Sequence, residues 1–250
     1  MSISTERFKL YAIADLHLPG GQDKPMDVFG VQWRDHVNHL RQAWVDLVRD
    51  EDWVLVPGDI SWAMRLEEAL PDLDFLGRLP GRIILLRGNH DYWWQAIGKV
   101  RRALPANIHA IQNDCILLPD NTAICGTRGW DLPTKEGVTA QDIRIYEREL
   151  QRLRMSLEKA RQSGARRLVA MMHFPPAETG GMPTGFTCLM EEYGVSICVY
   201  GHLHGDYGRR ALRGRHRGVY YRLVSADALG FRPWLVSDVD YEETRSPVTR

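Results

Sequence analysis

The amino-acid sequence predicts a layered α/β fold, and three observations support this prediction. Short apolar runs recur along the chain without strict alternation of apolar and polar residues, which is typical of strands covered on both faces. Stretches with apolar residues at helical spacing lie between several of these runs. Polar side chains that can bind metals directly follow five of the runs. This alternation of strands and helices favours a layered sheet architecture over a helical bundle.

The predicted strands are spread along the first four-fifths of the chain. They cover residues 9–14, 53–57, 82–86, 110–119, 122–126, 167–172 and 196–200. After residue 205 the sequence changes to further short strands joined by turns, and we expect this β-rich portion, about residues 205–240, to belong to the same fold. Because no Pro-, Gly- or Ser-rich linker divides the chain, we expect residues 1–250 to form a single domain.

The predicted helices cover residues 33–50, 63–77, 92–103 and 139–164. The last of these has the clearest ends, with Thr139 as N-cap, Asp142 at the N3 position and Gly164 as the C-terminal stop. Its apolar stripe is interpreted as core packing rather than as a surface for a partner. The stripe contains Ile143, Tyr146, Leu150, Leu153 and Leu157.

Composition excludes some classes of protein. Lys+Arg and Asp+Glu both number 32, so no global charge draws the chain to nucleic acid or to anionic lipid. No run approaches the roughly 18 apolar residues of a membrane helix, and the first residues do not follow a signal-peptide pattern. The cysteines form no C-x-x-C pair, and we expect them to be reduced and structural: Cys115, Cys125, Cys188 and Cys198. We therefore expect a soluble, cytoplasmic protein without a membrane span.

Five of the predicted strands end in clusters of side chains that can bind metals. In chain order the clusters contain Asp15 and His17, then Asp59, then Asn89, His90 and Asp91, then His173, and finally His202 and His204. Because the carboxyl ends of parallel strands meet at one edge of a sheet, we expect these side chains to converge. Each cluster alone has an ordinary explanation, such as a turn, a helix N-cap or a loop histidine. Five of them in a row, each after a strand, favour a reaction centre.

The donor set indicates more than one metal ion. Two aspartates, one asparagine and four histidines are too many ligands for a single tetrahedral zinc, and they suit two cations that accept both oxygen and nitrogen. An aspartate can bridge two such ions and hold them about 3.5–4 Å apart with a shared hydroxide between them. The glycines Gly58, Gly88 and Gly201 precede three of the ligands and are expected to let the chain turn sharply where each strand ends.

The series D-x-H, G-D, G-N-H-D, H, G-H-x-H resembles the calcineurin-like metallophosphoesterase family, and the resemblance covers residues 9 to about 204. It implies a four-layered α/β/β/α sandwich with metal ligands at the C-terminal ends of the strands. It also implies hydrolysis of a phosphate mono- or diester by a hydroxide shared between two divalent or trivalent metal ions, which would be Mn, Fe or Zn. The phrases "GDISWAM" and "GTRGW" are similar to those of uncharacterised bacterial phosphohydrolases of this family.

Carried over residue by residue, the resemblance implies a role for each side chain. Asp15, His17 and His204 would bind the first metal. Asn89, His173 and His202 would bind the second metal, and Asp59 would bridge the two. His90 would act as the acid for the leaving oxygen or stabilise the transferring phosphoryl group, and Asp91 would orient His90.

One departure from the family concerns the arginine that grips phosphate. The protein Ser/Thr phosphatase branch continues V-D-R-G after the G-D pair, whereas this chain has "ISWAMR", which weakens a protein phosphatase interpretation. Arg128 could supply the phosphate contact instead, with Trp130 as a pocket wall, although it could equally be an ordinary surface arginine. Trp62, Trp93 and Trp94 could stack on a base or wall the core.

The predicted function is therefore that of a metal-dependent phosphohydrolase acting on a small-molecule phosphate ester. The first alternative is a nuclease of the same fold, favoured only by the arginine run between Arg209 and Arg217. That run could equally be the solvated edge of a β-turn. The second alternative is a metal-free binding or scaffold protein on this fold, and the presence of all seven expected ligands argues against it. The substrate, the metals and the oligomeric state stay open.

Overall fold

The computed structural model describes residues 8–20 and 26–236 of the 250-residue chain. Within these residues the strands are β1 (Leu10–Ala12), β2 (Trp53–Pro57), β3 (Arg82–Leu86), β4 (Ile108–Ala110), β5 (Ile116–Leu117), β6 (Thr122–Thr127), β7 (Arg167–Met172), β8 (Ile197–Tyr200), β9 (Gly214–His216), β10 (Val219–Leu223) and β11 (Trp234–Leu235). The helices are α1 (His36–Leu47), α2 (Leu66–Gly77), α3 (Ile97–Ala103), α4 (Ala140–Gln162), α5 (Gly185–Tyr193) and α6 (Gly205–Arg209), with short 3-10 helices at Met26–Phe29, Val31–Trp33 and Asp227–Leu229.

The strands form two sheets. The first has the order β11-β1-β2-β3-β4, in which β1 to β4 are parallel and β11 is antiparallel to β1. The second has the order β5-β6-β7-β8-β10-β9, in which β6, β7, β8 and β10 are parallel and the two edge strands are antiparallel. The carboxyl ends of most strands in each sheet therefore lie at one edge, as the predicted convergence of polar side chains requires.

The period-two alternation of side chains along a strand divides the core into layers. In β2, Trp53 and Leu55 face the second sheet, whereas Val54 and Val56 join the core beneath α1 and α2. The same division occurs in the second sheet, whose outer face packs against α4 and α5. Helices, sheet, sheet and helices therefore form the α/β/β/α layers that the family resemblance implies. Both faces of the central strands are covered, which explains why their sequences are apolar without strict alternation.

The predicted bounds of β2, β3 and β7 agree with the structure, whereas the strand predicted at residues 110–119 does not exist as one element. Instead β4 pairs with β3 in the first sheet, and β5 pairs with β6 in the second. Between them the Asp114 carboxylate accepts a hydrogen bond from the backbone N–H of Gln112 and stabilises a turn. The chain therefore passes from one sheet to the other at a place where two short apolar runs looked continuous.

The predicted ends of α4 are confirmed. The Thr139 hydroxyl accepts a hydrogen bond from the N–H of Asp142, and the Asp142 side chain accepts one from the N–H of Thr139, which is a capping box. The predicted core stripe is buried or partly buried except for Ile143, which lies in the first turn and is largely exposed. The other predicted helices are shorter than expected by several residues, mainly at their N-terminal ends.

Two helices were absent from the sequence prediction. The first, α5, begins after Thr184, whose hydroxyl accepts from the N–H of Thr187, and ends at Gly194 with a φ of 70°. These cap residues were a readable signal. The second, α6, lies where strands were predicted after residue 205. In that predicted β-rich portion, β9 and β10 join the second sheet and β11 joins the first, while residues 237–240 lie outside the described residues.

Two further predictions can be compared with the structure. All four cysteines are unpaired thiols, and Cys125 and Cys198 are fully buried, which raises the pKa of both. Among the described helices, none combines the length and the apolar character needed to cross a membrane.

Candidate metal centre

The seven predicted metal ligands meet where the two sheets present their strand ends. Asp15 and His17 follow β1, Asp59 follows β2, and Asn89 follows β3 in the first sheet. His173 follows β7, and His202 and His204 follow β8 in the second sheet. The backbone N–H of His202 donates to the Asp15 carboxylate at 3.0 Å and thereby joins the two sheets at this edge.

One part of the centre contains Asp15, His17 and His204, which we call the first ligand group. One donor atom of each lies within 4.8 Å of the donor atoms of the other two. His204 Nε2 is 3.9 Å from Asp15 Oδ1. The other ring nitrogen, Nδ1, contacts the Asp227 carboxylate. The group therefore combines one carboxylate with two imidazoles.

The other part contains Asn89, His173 and His202, which we call the second ligand group. Asn89 Oδ1 lies 2.6 Å from His173 Nε2 and 3.0 Å from His202 Nδ1. His173 is fully buried, and its Nδ1 lies 3.0 Å from the carbonyl oxygen of Pro57. A carbonyl oxygen can only accept, so Nδ1 carries the proton and Nε2 presents a lone pair to Asn89.

Asp59 lies between the two groups. Its Oδ1 accepts a hydrogen bond from the N–H of His90 at 2.8 Å, and this fixes the carboxylate. Its Oδ2 is then 3.9 Å from His17 Nε2 and 3.4 Å from His173 Nε2. Asp15 also comes within 4.8 Å of donor atoms of both Asp59 and His173. The geometry therefore brings two carboxylates between the groups, and Asp59 contacts a histidine of each.

The backbone is strained at the centre. Nine non-glycine residues in the described part of the chain have positive φ, and four of them are predicted ligands: Asp15, His17, Asp59 and His202, with φ of 58°, 45°, 53° and 74°. Such conformations cost on the order of 1–3 kcal/mol each and cluster at functional sites. These backbone conformations direct the side chains at the strand ends toward the candidate metal centre.

The three glycines that precede ligands are needed for close approach. A Cβ on Gly58 would lie 2.6 Å from His173 Nδ1, one on Gly88 would overlap Asp59 Oδ1, and one on Gly201 would lie 2.5 Å from Asp15 Oδ2. Only Gly58 has a positive φ, of 94°. The sharp-turn explanation therefore applies to Gly58, whereas Gly88 and Gly201 are required because another ligand occupies the space of a side chain.

Burial shifts the pKa of most ligands toward neutral forms. Burial is the main cause that lowers the pKa of His17, and it also lowers the pKa of His173 and His202 to about 3. Burial and the neighbouring Asp59 charge raise the pKa of Asp15, and burial raises that of Asp59. These three imidazoles therefore keep their lone pairs, and the two carboxylates need positive charge nearby to ionise.

These observations fit bound cations. The neutral His173 Nε2 presents its lone pair to the Asn89 amide oxygen at 2.6 Å, and it lies 3.4 Å from Asp59 Oδ2. Two acceptors that face each other at this distance repel unless a positive charge lies between them. Oxygen and imidazole donors together suit Mn, Fe or Zn ions.

His90 lies beside the centre but is not part of either ligand group. Its ring centroid is 4.6 Å from that of Trp62 and 5.8 Å from that of His17. The ring is half-buried, and its Nδ1 is buried without a hydrogen-bond partner. Trp62 stacks on His17 at 4.7 Å and forms the wall behind both rings. Trp93 and Trp94 are buried in the core.

Asp91 differs from its predicted role. Its carboxylate accepts hydrogen bonds from the backbone N–H groups of Asp59, Ile60, Ser61 and Gly88 and from Trp93 Nε1. Its contacts therefore fix the loop that carries the bridging carboxylate, and the unpartnered His90 Nδ1 is not held by it. Burial raises the pKa of Asp91 to about 7.

Arg128 is held at the margin of the centre. Its guanidinium lies 4.6 Å from the Trp130 ring centroid and 3.6 Å from the buried Glu149 carboxylate, while its Nε has no partner. Its backbone carbonyl accepts from the N–H of His173 and thus places it next to a ligand. With a side chain only 16% exposed, Arg128 is not an ordinary surface arginine.

Asp227 is a residue of the site that the sequence analysis missed. Its Oδ1 is 2.8 Å from His204 Nδ1, and its Oδ2 accepts from the N–H of Gly205. Burial lowers the pKa of His204, but the hydrogen bond to Asp227 and the charges of Asp15, Asp227 and Asp59 outweigh it and raise this pKa to about 9. Asp227 follows β10, so the rule of polar residues after a strand could have found it.

The comparisons with known proteins agree with this geometry. Two layered sheets with histidine, aspartate and asparagine donors at the strand ends are an arrangement that can hold metal ions. The chain belongs to the calcineurin-like phosphoesterase family, whose sequence model matches residues 8–206. A search of curated proteins finds no match.

Solved structures share the fold at low sequence identity. A phosphopantetheinyl hydrolase from Mycobacterium tuberculosis has a TM-score of 0.58 and 16% identity, covering 97% of this chain and 98% of its own. A protein of unknown function, AQ665 from Aquifex aeolicus, has a TM-score of 0.53 and 16% identity, covering 94% and 100%. The protein TT1561 of Thermus thermophilus has a TM-score of 0.53 and 9% identity, covering 92% and 98%. These likenesses extend the shared fold over nearly the whole chain.

Proposed function

We propose that the chain is a dimetal phosphohydrolase that cleaves a small-molecule phosphate ester. The observation that supports this best is the position of Asp59. Its Oδ2 lies between a histidine of the first ligand group and a histidine of the second, while its Oδ1 is fixed by a backbone N–H. A carboxylate held in this way can serve two cations at once, and each group supplies three further donors.

Two bound ions would lower the pKa of a water and neutralise charge on the phosphate oxygens. The chain's own residues would do the rest. The two ligand groups would fix where the phosphate lies, and the half-buried His90 ring beside them would donate a proton to the leaving oxygen. Arg128, at the margin beside His173, would pair with a non-bridging oxygen.

The structure weakens the reason for considering a nuclease. The arginine run spans α6, a turn and β9, and two of its members have acidic partners. Arg209 pairs with Asp206 at 3.3 Å, and Arg217 pairs with Glu191 at 3.5 Å. The run therefore offers a polyanion less unbalanced positive charge than the sequence suggests, and a small ester remains the favoured substrate.

The test is reconstitution of activity. Protein stripped with a chelator would be loaded with Mn²⁺, Zn²⁺ or Fe²⁺ and given p-nitrophenyl phosphate, its bis-ester, a cyclic nucleotide, a phosphopantetheinyl conjugate and single-stranded DNA. The phosphopantetheinyl conjugate is included because one structure of this fold is a hydrolase of that name. We expect two ions per chain and metal-dependent release of phosphate or alcohol. Absence of hydrolysis in every loaded form would contradict the proposal.

A further inference from the structure

A large pocket opens beside the second ligand group. It has a volume of about 620 Å³, within the range of about 300–1,000 Å³ typical of small-molecule sites. Its walls are mainly apolar and include Trp130, Leu132, Phe174, Met182, Leu203 and Tyr207. We call this space the apolar pocket.

The apolar pocket is continuous with the candidate metal centre. His202, a member of the second ligand group, forms part of its wall. The Phe174 ring lies 4.2 Å from the His202 ring, and the Trp130 ring lies 5.1 Å from Phe174. A row of rings therefore leads outward from a ligand, so a phosphate held at the centre can extend its organic group along this wall.

Several polar side chains of the pocket already have partners. Lys135 Nζ contacts Asp131 Oδ1 at 2.5 Å, and Glu178 accepts a hydrogen bond from the Thr134 hydroxyl at 2.7 Å. The Thr179 hydroxyl donates to a backbone carbonyl at 2.7 Å. A sugar or a nucleobase needs several polar partners when it is buried. These four side chains are already paired, which leaves mainly the Arg210 guanidinium and the Tyr207 hydroxyl. An apolar group makes no such demand.

Two large apolar side chains of the pocket are open to water. Met182 is 74% exposed and Tyr207 is 77% exposed, although both belong to the same concave surface. Apolar surface collected in one concavity beside a reaction centre is typical of a binding site. A ligand that covered both side chains would remove this surface from water.

We propose that the apolar pocket binds the organic group of the substrate, and that the substrate is a phosphate ester of a large apolar alcohol, alkyl or aryl. This inference rests on the proposed function because it assigns the pocket to the same site. It goes further in naming the class of alcohol, and in distinguishing that class from nucleosides and sugars.

The test measures binding of alkylphosphonates to the Mn²⁺-loaded protein by calorimetry. Their carbon–phosphorus bond is not hydrolysed, so the readout does not depend on turnover. Each buried methylene strengthens binding by at most about fourfold, and we expect octylphosphonate to bind at least about tenfold more tightly than ethylphosphonate. The gain should shrink in the Met182→Ser/Tyr207→Ser double variant, whose exposed positions tolerate the change.

A second variant and a control complete the experiment. Ala211→Trp would fill the pocket from another side and should also remove the advantage of the octyl chain. Val45→Ser/Met155→Ser changes two exposed apolar residues that do not line the pocket, and it should leave the chain-length effect intact.

The outcomes separate the two proposals. Equal affinity for ethyl- and octylphosphonate, with hydrolysis of p-nitrophenyl phosphate retained, would overturn the apolar pocket and leave the proposed function standing. The apolar pocket would also be overturned if the control variant lost as much of the chain-length effect as the pocket variants do. Failure to bind any phosphonate together with failure to hydrolyse any ester would overturn both.

Discussion

The two ligand groups of the candidate metal centre differ in charge. The first group has a carboxylate of its own, Asp15, beside two imidazoles. The second group has a neutral amide, Asn89, with His173 and His202, and its nearest carboxylate is Asp59. Because a cation is held more firmly by charged oxygen than by neutral donors, the second group depends more on the shared aspartate.

The two groups also differ in what holds their histidines. In the second group His173 is fully buried, and its Nδ1 donates to a backbone carbonyl of Pro57, which no substitution removes. In the first group the His204 side chain is 34% exposed, and its Nδ1 is held by the Asp227 side chain. The comparison shows that a backbone carbonyl orients His173 in the second group, whereas a side chain orients His204 in the first. A single substitution at Asp227 can therefore remove the support of His204.

The largest expected effect comes from the residue shared by both halves. Asp59→Asn removes the negative charge between the groups, so we expect loss of at least one of the two ions and a fall in turnover of at least about 10³-fold. Elemental analysis and steady-state kinetics measure the two effects. Asp52→Asn is the matched control, because Asp52 is equally buried and accepts backbone hydrogen bonds at the start of β2, the end opposite to Asp59. Full metal content in the Asp59 variant would contradict the bridging role.

The next effect separates proton transfer from metal binding. His90→Ala should keep both ions, because His90 is in neither ligand group, while turnover falls by roughly 10²–10⁴, the usual range for a general acid. The loss should shrink for p-nitrophenolate and other good leaving groups, which need little protonation. His109→Ala, which changes a histidine in β4, should leave turnover near that of the unchanged protein. An equal loss across a leaving-group series would remove His90 from the role of acid.

A smaller effect tests the difference between the groups directly. Asp227→Asn weakens the support of His204, and loss of such a partner typically costs 10–100-fold in metal affinity. We expect this loss for one ion of the two, measured by titration of metal-free protein. Asp206→Asn, at an exposed residue of α6, is the control. If both ions were weakened equally, the two groups would not be independent halves.

The sequence was sufficient to predict the layered fold and the convergence of the polar side chains, because both follow from local rules. Strands buried on both faces are apolar throughout, and polar residues at parallel strand ends converge. Asp91 shows the limit of such rules. Its position beside His90 suggested a partner for that ring, yet its carboxylate binds backbone N–H groups around Asp59, 30 to 32 residues earlier in the chain.

The remaining differences also depend on long-range contacts. The passage of the chain from β4 to β5 divides one apolar stretch between two sheets, which depends on pairing with β3 and β6. The apolar pocket combines residues between Trp130 and Ala211 that share no sequence pattern. Asp227 lies 23 residues after His204, and only the pairing of β10 with β8 brings the two together.

The smallest effect concerns Arg128, at the margin of the second group. The guanidinium is confined between the Trp130 ring and Glu149 and is close enough for its charge to contribute to the lowered pKa of His173. A planar guanidinium can pair with two phosphate oxygens, which a lysine cannot reproduce. Arg128→Lys should therefore raise KM or lower kcat by about tenfold, equivalent to about 1.4 kcal/mol, while metal content stays unchanged.

Arg152→Lys is the control that distinguishes a phosphate contact of Arg128 from its pairing with Glu149. It contacts the same Glu149 oxygen at 2.6 Å and lines the same cavity, but its side chain is 35% exposed and it does not stack on Trp130. If Arg128 acts only by balancing the buried Glu149 charge, Arg152→Lys should impair kinetics as much as Arg128→Lys does. If Arg128 contacts the phosphate, only its own replacement should change KM or kcat. Thermal unfolding of both variants distinguishes a kinetic effect from lost stability, because a lost pair on Glu149 lowers the melting temperature whichever arginine is changed.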